Sequence, residues 1–228
     1  MTSVTPPATG LDPDRWRTRR VHLKRFEDAD VGPYIELCTS LGVGRQFRFG
    51  GAAIPPPATL SAVWDGTLVH LVGVGNRSRR RLGVASVTSA DMRNGTAYLS
   101  VVSDIGVIGS GLMIEVAGLA IEYVFSTWPF RKLYAEVPEY NLRTFGSVTK
   151  RFFRREGLLT EHVFLDGRYW DVHVLATDRA TWQREGSPLV ARLQGLRGPG
   201  AGDGGGRRRY GSSSRSNDGA VPEVPGTR

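Results

Sequence analysis

Apolar positions change their period along the chain, and each change marks an element. Val21-His22-Leu23-Lys24-Arg25-Phe26 alternates apolar and polar over most of its length, as a half-buried strand requires. Asp28 stands where a helix cap belongs. The helix after it would carry Ile35, Leu37 and Cys38, with Pro33 in its first turn, where a missing N–H costs little. Residues 41–57 hold four glycines and three consecutive prolines, so they read as a loop, followed by a short helix through Leu60, Val63 and Trp64. Three strands follow, over residues 68–74, 82–88 and 96–103, the second and third joined through Asn94-Gly95, a strong hairpin signal. An apolar helix from about 112 to 125 precedes a strand at 132–137. Residues 141 to about 153 read as another helix, ended at Glu156-Gly157. A hairpin over 158–165 and 169–176, turned by Asp166-Gly167, comes last.

The two ends break this order. Residues 1–20 are Pro-, Thr- and Arg-rich without periodicity and read as a flexible arm. From Gly186 to 228 the chain is low in complexity, as Gly204-Gly205-Gly206 and Ser212-Ser213-Ser214 show, and reads as a disordered tail. One domain over 21–185 remains, α/β in class.

Composition narrows the function. The net charge is +8, but the tail contributes +4 and the arm +2, which leaves the domain with little basic excess. Arginine outnumbers lysine 27 to 3, so arginine clusters partly reflect composition. A folded nucleic-acid binder needs a basic footprint of its own, so specific nucleic-acid binding is not expected. No apolar run approaches the roughly 20 residues of a membrane span, and residues 1–7 lack the layout of a secretory signal. Cys38 is the only cysteine, and the histidines at 22, 70, 162 and 173 lack metal spacing. The expectation is a cytoplasmic protein without a metal, monomeric or homodimeric.

The candidate chemistry sits between strand and helix, at Gly106-Val107-Ile108-Gly109-Ser110-Gly111. Glycines there leave main-chain N–H groups uncovered at the positive end of a helix, which suits a phosphate-bearing ligand. The spacing is neither the dinucleotide fingerprint nor a P-loop. A plain turn needing positive φ angles is the alternative reading.

The order of elements around this turn resembles the GNAT N-acyltransferases, over roughly residues 21–185. The far end resembles the ribosomal-protein N-terminal acetyltransferase branch, in Asn141-Leu142-Arg143-Thr144, Phe153-Arg154-Arg155-Glu156-Gly157 and Asp166-Gly167-Arg168-Tyr169-Trp170-Asp171. The resemblance implies a mixed, mostly antiparallel sheet of about seven strands, flanked by helices and splayed between the fourth and fifth strands. It also implies acetyl-CoA, or another acyl-CoA, as co-substrate. Pantetheine would pair with the fourth strand near Val101, Val102 and Ser103, and pyrophosphate would meet Val107, Gly109, Ser110 and Gly111. Asn141 and Thr144 would contact the pantetheine side, and Lys150 the 3′-phosphate. The chain departs from its relatives at Gly106, where they carry Arg or Gln, at Phe152, where they carry Gly, and at Val148, where many carry a general-acid Tyr.

Transfer by direct attack of an amine on a thioester needs alignment, a base and an oxyanion donor. The candidates are Glu139 and Glu136 as bases, a main-chain N–H near Ser103 for the oxyanion, and Asn141 to hold the donor or a water. Arg45 and Arg48, in the 41–57 loop, would meet a carboxylate on the acceptor. The acceptor is expected to be a small-molecule amine; a protein N-terminus is the alternative. A non-catalytic module binding acyl-CoA or an acyl carrier protein is the rival from another class.

Overall fold

The computed structural model describes residues 11, 12, 14–39, 63–142 and 151–196. In chain order these form β1 (Val21–Arg25), α1 (Asp28–Thr39), β2 (Thr67–Gly75), β3 (Arg81–Asp91) and β4 (Thr96–Ser103). A 3₁₀ turn (Ile105–Val107) leads into α2 (Leu112–Thr127), then β5 (Lys132–Pro138) and a second 3₁₀ turn (Glu139–Asn141). The hairpin β6 (Arg154–Leu165) and β7 (Arg168–Asp178) is followed by α3 (Arg179–Thr181), a π-helical turn (Trp182–Gly186) and α4 (Ser187–Leu193).

The seven strands make one sheet in the order β1-β2-β3-β4-β5-β7-β6. Neighbours are antiparallel except β4 and β5, which run parallel. A parallel pair cannot be joined by a tight turn, and α2 supplies the crossover.

Strand alternation distributes the core to two faces. Ala97 and Leu99 of β4 and Leu133 of β5 pack with Val116, Leu119, Ala120 and Val124 of α2. Val102, one residue out of phase, joins Tyr34 and Cys38 of α1 with Val72 and Val84. Each fully buried Val or Leu is worth about 1.5–3 kcal/mol, so these two stripes dominate the stability. Gly73 sets how closely α2 approaches the sheet: a Cβ there would lie 2.5 Å from a Val116 methyl.

Three local expectations are corrected. Pro33 lies inside α1, past its first turn. In α1 the buried residues are Asp30, Tyr34 and Cys38, while Ile35 and Leu37 are only partly buried. The acid stays inside because it is paired, accepting from Lys24 Nζ at 2.7 Å, Arg81 Nε at 2.6 Å and the Glu27 N–H at 3.0 Å. Next, β6 begins at Arg154, so Glu156 lies within a strand rather than ending a helix. There it pairs with Lys132 at 2.8 Å and Arg154 at 2.7 Å.

Both chain ends differ most from expectation. Within the arm, Trp16 and Thr18 are buried, Trp16 edge-on to Tyr123 with ring centres 5.2 Å apart. Residues 187–193, placed in the tail by composition, are helical, and Val190 is buried against α2 near Gly118. Single anchoring side chains in polar, glycine-rich surroundings leave no period to detect. Arg179 then closes the far end of α2, donating to the carbonyls of Phe125, Phe130 and Trp128.

Burial opposes ionisation of Asp30, yet the hydrogen bonds from Lys24, Arg81 and the Glu27 N–H hold its pKa below the ordinary 3.8. A depressed carboxylate stabilises the fold above its unfolded pKa and loses that contribution as pH falls. The stability gap between the native protein and Asp30→Asn should therefore be full at neutral pH and shrink below about pH 4. Thermal melting of both proteins from neutral pH to about pH 3 checks this; a constant gap would remove Asp30 as the cause.

Candidate active site

The β4–β5 ladder has three rungs, Thr96↔Lys132, Ala97↔Leu133 and Tyr98↔Tyr134, and then it stops. Beyond Tyr98, β4 continues to Ser103 on β3, while β5 continues to Pro138 on β7. The two strands thus separate into a wedge. Among the described residues no strand pairs across it, so every second main-chain N–H and C=O of 99–103 faces the opening without a ladder partner.

The rings of Tyr98 and Tyr134 meet on the last rung, with centres 5.4 Å apart. Burial, and then the nearby Glu136 carboxylate and Tyr134, push the Tyr98 hydroxyl above its ordinary pKa, so it stays protonated at neutral pH. Beside this rung opens a cavity of about 440 Å³. Its walls include Ser100 of β4, Glu136 of β5, Tyr34 of α1, His162 of β6 and Asp65 before β2. Two carboxylates and one histidine face it, with no lysine or arginine among its described lining.

His162 reaches the cavity from an irregular part of β6. The β6–β7 register slips between Leu159 and Val163, and Glu161 adopts φ 49°. The Asp171 carboxylate accepts from the Glu161 N–H at 2.8 Å and holds the bulge. Such a bulge re-aims a side chain that a regular strand would turn elsewhere. Tyr34 belongs to an aromatic cluster with Phe26, Trp64 and His70. His70 itself is fully buried, bonded to Ser86 Oγ at 2.6 Å and the Val63 carbonyl at 2.9 Å, so it is part of the core.

At the C-terminal end of β4 the chain turns through the glycine segment. The Asp104 carboxylate accepts from the Gly106 N–H at 2.7 Å and caps the 3₁₀ turn. Gly109 and Gly111 have φ of 80° and 75°, conformations that side chains strain to adopt, whereas Gly106 does not. A Cβ on Gly109 would meet nothing within 4 Å, so the loop is open above it. Gly111 is the N-cap of α2 and offers no capping side chain. Ser110 Oγ accepts from the Leu112 N–H at 3.2 Å. The first turn of α2 thus opens toward the wedge with the positive end of its dipole.

Several of the sequence-derived site residues converge here. Glu136 lines the cavity; Val101, Val102 and Ser103 lie on the separated part of β4; Val107, Gly109, Ser110 and Gly111 form the loop at its end. The side chains of Val101 and Val102 point into opposite cores, so only their main chain is available to a ligand. Glu139 is exposed in the 3₁₀ turn after β5 and is not part of the cavity wall; Asn141 ends that turn half-buried. Arg45, Arg48, Thr144, Val148 and Lys150 lie outside the described residues. Ser100, Tyr34, Asp65 and His162 were not singled out as site residues from the sequence. Only Ser100 was within reach, because the alternation of β4 puts it on the face of Tyr98.

No protein-family model and no curated protein matches the sequence. Solved structures do match. The spermidine N-acetyltransferase from Vibrio cholerae in complex with CoA and spermine is 17% identical, with a TM-score of 0.63 over 72% of this chain and 98% of that one. The spermidine/spermine N-acetyltransferase from Vibrio cholerae with manganese ions is 16% identical, with a TM-score of 0.60 over 72% of this chain and 96% of that one. A chimera of the Vibrio cholerae enzyme is 18% identical, with a TM-score of 0.60 over 72% of this chain and 99% of that one. At this identity the likeness shows the fold. The seven-stranded mixed sheet with one parallel pair is the GNAT fold these enzymes share.

Proposed function

We propose that the protein is an N-acyltransferase that moves an acetyl or other short acyl group from acyl-CoA to a primary amine of a small molecule. The observation that carries this is the opening of the β4–β5 ladder after Tyr98↔Tyr134, with a cavity on one side and the glycine loop at its end. Pantetheine carries two amides, and the free main-chain groups of 99–103 suit an added strand. The loop and α2 N-terminus suit phosphate oxygens. Neighbours with this fold include an enzyme solved with CoA and spermine, which supports a CoA donor and an amine acceptor.

In this reading acyl-CoA supplies a thioester carbonyl activated for attack. Glu136, directly or through one water, takes a proton from the acceptor ammonium. The neutral amine nitrogen then bonds to the carbonyl carbon, the carbon–sulfur bond breaks, the nitrogen gives its second proton to solvent, and the thiolate takes one from solvent. Main-chain N–H groups of β4 near Ser103 stabilise the charge on the carbonyl oxygen. Ser100 and His162 line the acceptor side. Asn141 steadies the donor from the end of β5.

Glu136 on the cavity wall and a neighbour solved with CoA and spermine support an acceptor that is a polyamine-like amine; a carboxylate-bearing acceptor is the reading that Arg45 and Arg48, outside the described residues, suggest. A protein N-terminus is a poorer fit to a cavity walled by α1 and β6. The motifs at 141–144, 153–157 and 166–171 are what support the ribosomal-protein branch, and they leave the acceptor open. The test is thiol release from acetyl-CoA across polyamines, amino acids and short peptides. Polyamine-dependent release is expected. A thermal shift with CoA but no release with any amine would favour a binding module, and no shift at millimolar CoA would end the donor reading.

A further inference from the structure

The glycine loop lacks the Arg or Gln its relatives carry at the position of Gly106, yet the structure brings a guanidinium to the loop from elsewhere. Arg20, just ahead of β1, donates from Nη1 to the Ser110 carbonyl at 3.3 Å. Its Nε donates to Glu115 Oε1 at 2.7 Å, and Nη2 lies 2.5 Å from the same oxygen. A Cβ on Gly111 would stand 3.5 Å from Arg20 Nη2, so the guanidinium borders the turn itself. We infer that Arg20 is the cationic donor to the phosphates of the acyl donor, held in place by Glu115 and Thr18.

Charge and burial support this assignment. Glu115 sits in the first turn of α2 and is only 6% exposed, where an uncompensated carboxylate would repel an anion. Thr18 Oγ1 donates to its other oxygen at 2.5 Å, so both oxygens are engaged. Arg20 is half-exposed, at 51%. A guanidinium offers five N–H donors, and the three contacts above leave one on each terminal nitrogen. Two N–H donors on one guanidinium suit phosphate oxygens. The acid at the other end of the loop, Asp104, is faced by Arg80 at 3.7 Å, so arginines cover both carboxylates flanking the turn. The segment that carries Arg20 is anchored by Trp16 and Thr18, the two buried residues of 14–20.

This inference rests on the acyl-CoA reading, and its test separates the two. Arg20→Gln alone leaves a buried carboxylate unpaired, so the decisive variant is Arg20→Gln with Glu115→Gln, which removes both charges; Arg20→Lys and a distant Arg184→Gln accompany it. Binding of CoA and of pantetheine, which lacks the phosphates, is measured by calorimetry, with thermal melting of each variant alongside. The double variant should melt near the native protein and lose CoA affinity by about tenfold or more, with pantetheine binding unchanged. Arg20→Lys should fall between, and Arg184→Gln should match the native protein. Unchanged CoA affinity in the double variant, or equal losses for CoA and pantetheine, would overturn the role of Arg20. A native protein that binds no CoA would overturn the donor reading and this inference together.

Discussion

Glu136→Gln is expected to lower kcat for amine acetylation by about a hundredfold or more, the loss usual for a positioned general base. Glutamine keeps the shape and hydrogen-bonding reach of the side chain but cannot accept the proton. CoA affinity should be unchanged, because Glu136 lies on the cavity side of the wedge and not at the glycine loop. Glu139→Gln serves as comparison, since Glu139, exposed like Glu136, is not part of the cavity wall. A larger loss from Glu139→Gln than from Glu136→Gln would transfer the base to the 3₁₀ turn.

The second large effect concerns β4, the strand proposed to hold the donor. Gly83 pairs with Ser103 at the end of β4, and a Cβ there would lie 2.2 Å from the Val102 carbonyl oxygen. It would also come within 2.8 Å of Met113 Cε and 2.9 Å of Ser103 Cα. Met113 can swing away, but the main chain of β4 cannot move without breaking its pairing with β3. Gly83→Ala is therefore expected to cost about 3 kcal/mol or more, the upper range for overpacking against fixed neighbours. Denaturant unfolding checks the magnitude. Whatever folds should bind CoA more weakly, because the displaced segment runs directly into Asp104 and the loop. A stability loss well under 1 kcal/mol would mean that the strands separate more easily than their register implies.

Much of this molecule was legible before its structure. The strand at 96–103 matches β4 in full, because alternation and an Asn-Gly turn bound it on one side and glycines on the other. The helix after the loop was read two residues short of Thr127, since its apolar face is continuous. His70, one of the histidines without metal spacing, is fully buried in the core. The polar side of the site was less visible. Asp65 and His162 come from a turn and a bulge, which have no period, and they meet Glu136 across a large sequence separation. Arg20 was hidden among arginines that composition partly accounts for, and its contacts with Glu115 and Ser110 set it apart.

What the sequence determined by itself was the order of elements, the two-sided patterning of the sheet and the place of the glycine loop. Those properties are local: they depend on side-chain period and on backbone angles that few residues tolerate. The tertiary structure decided where the β4–β5 ladder opens, which carboxylate faces the cavity, and that the segment ahead of β1 and the helix after β7 belong to the domain. Those depend on strand separation, on a register slip in β6 and on single buried anchors such as Trp16 and Val190. Such contacts form between residues far apart in the chain, and no pattern along the chain records them.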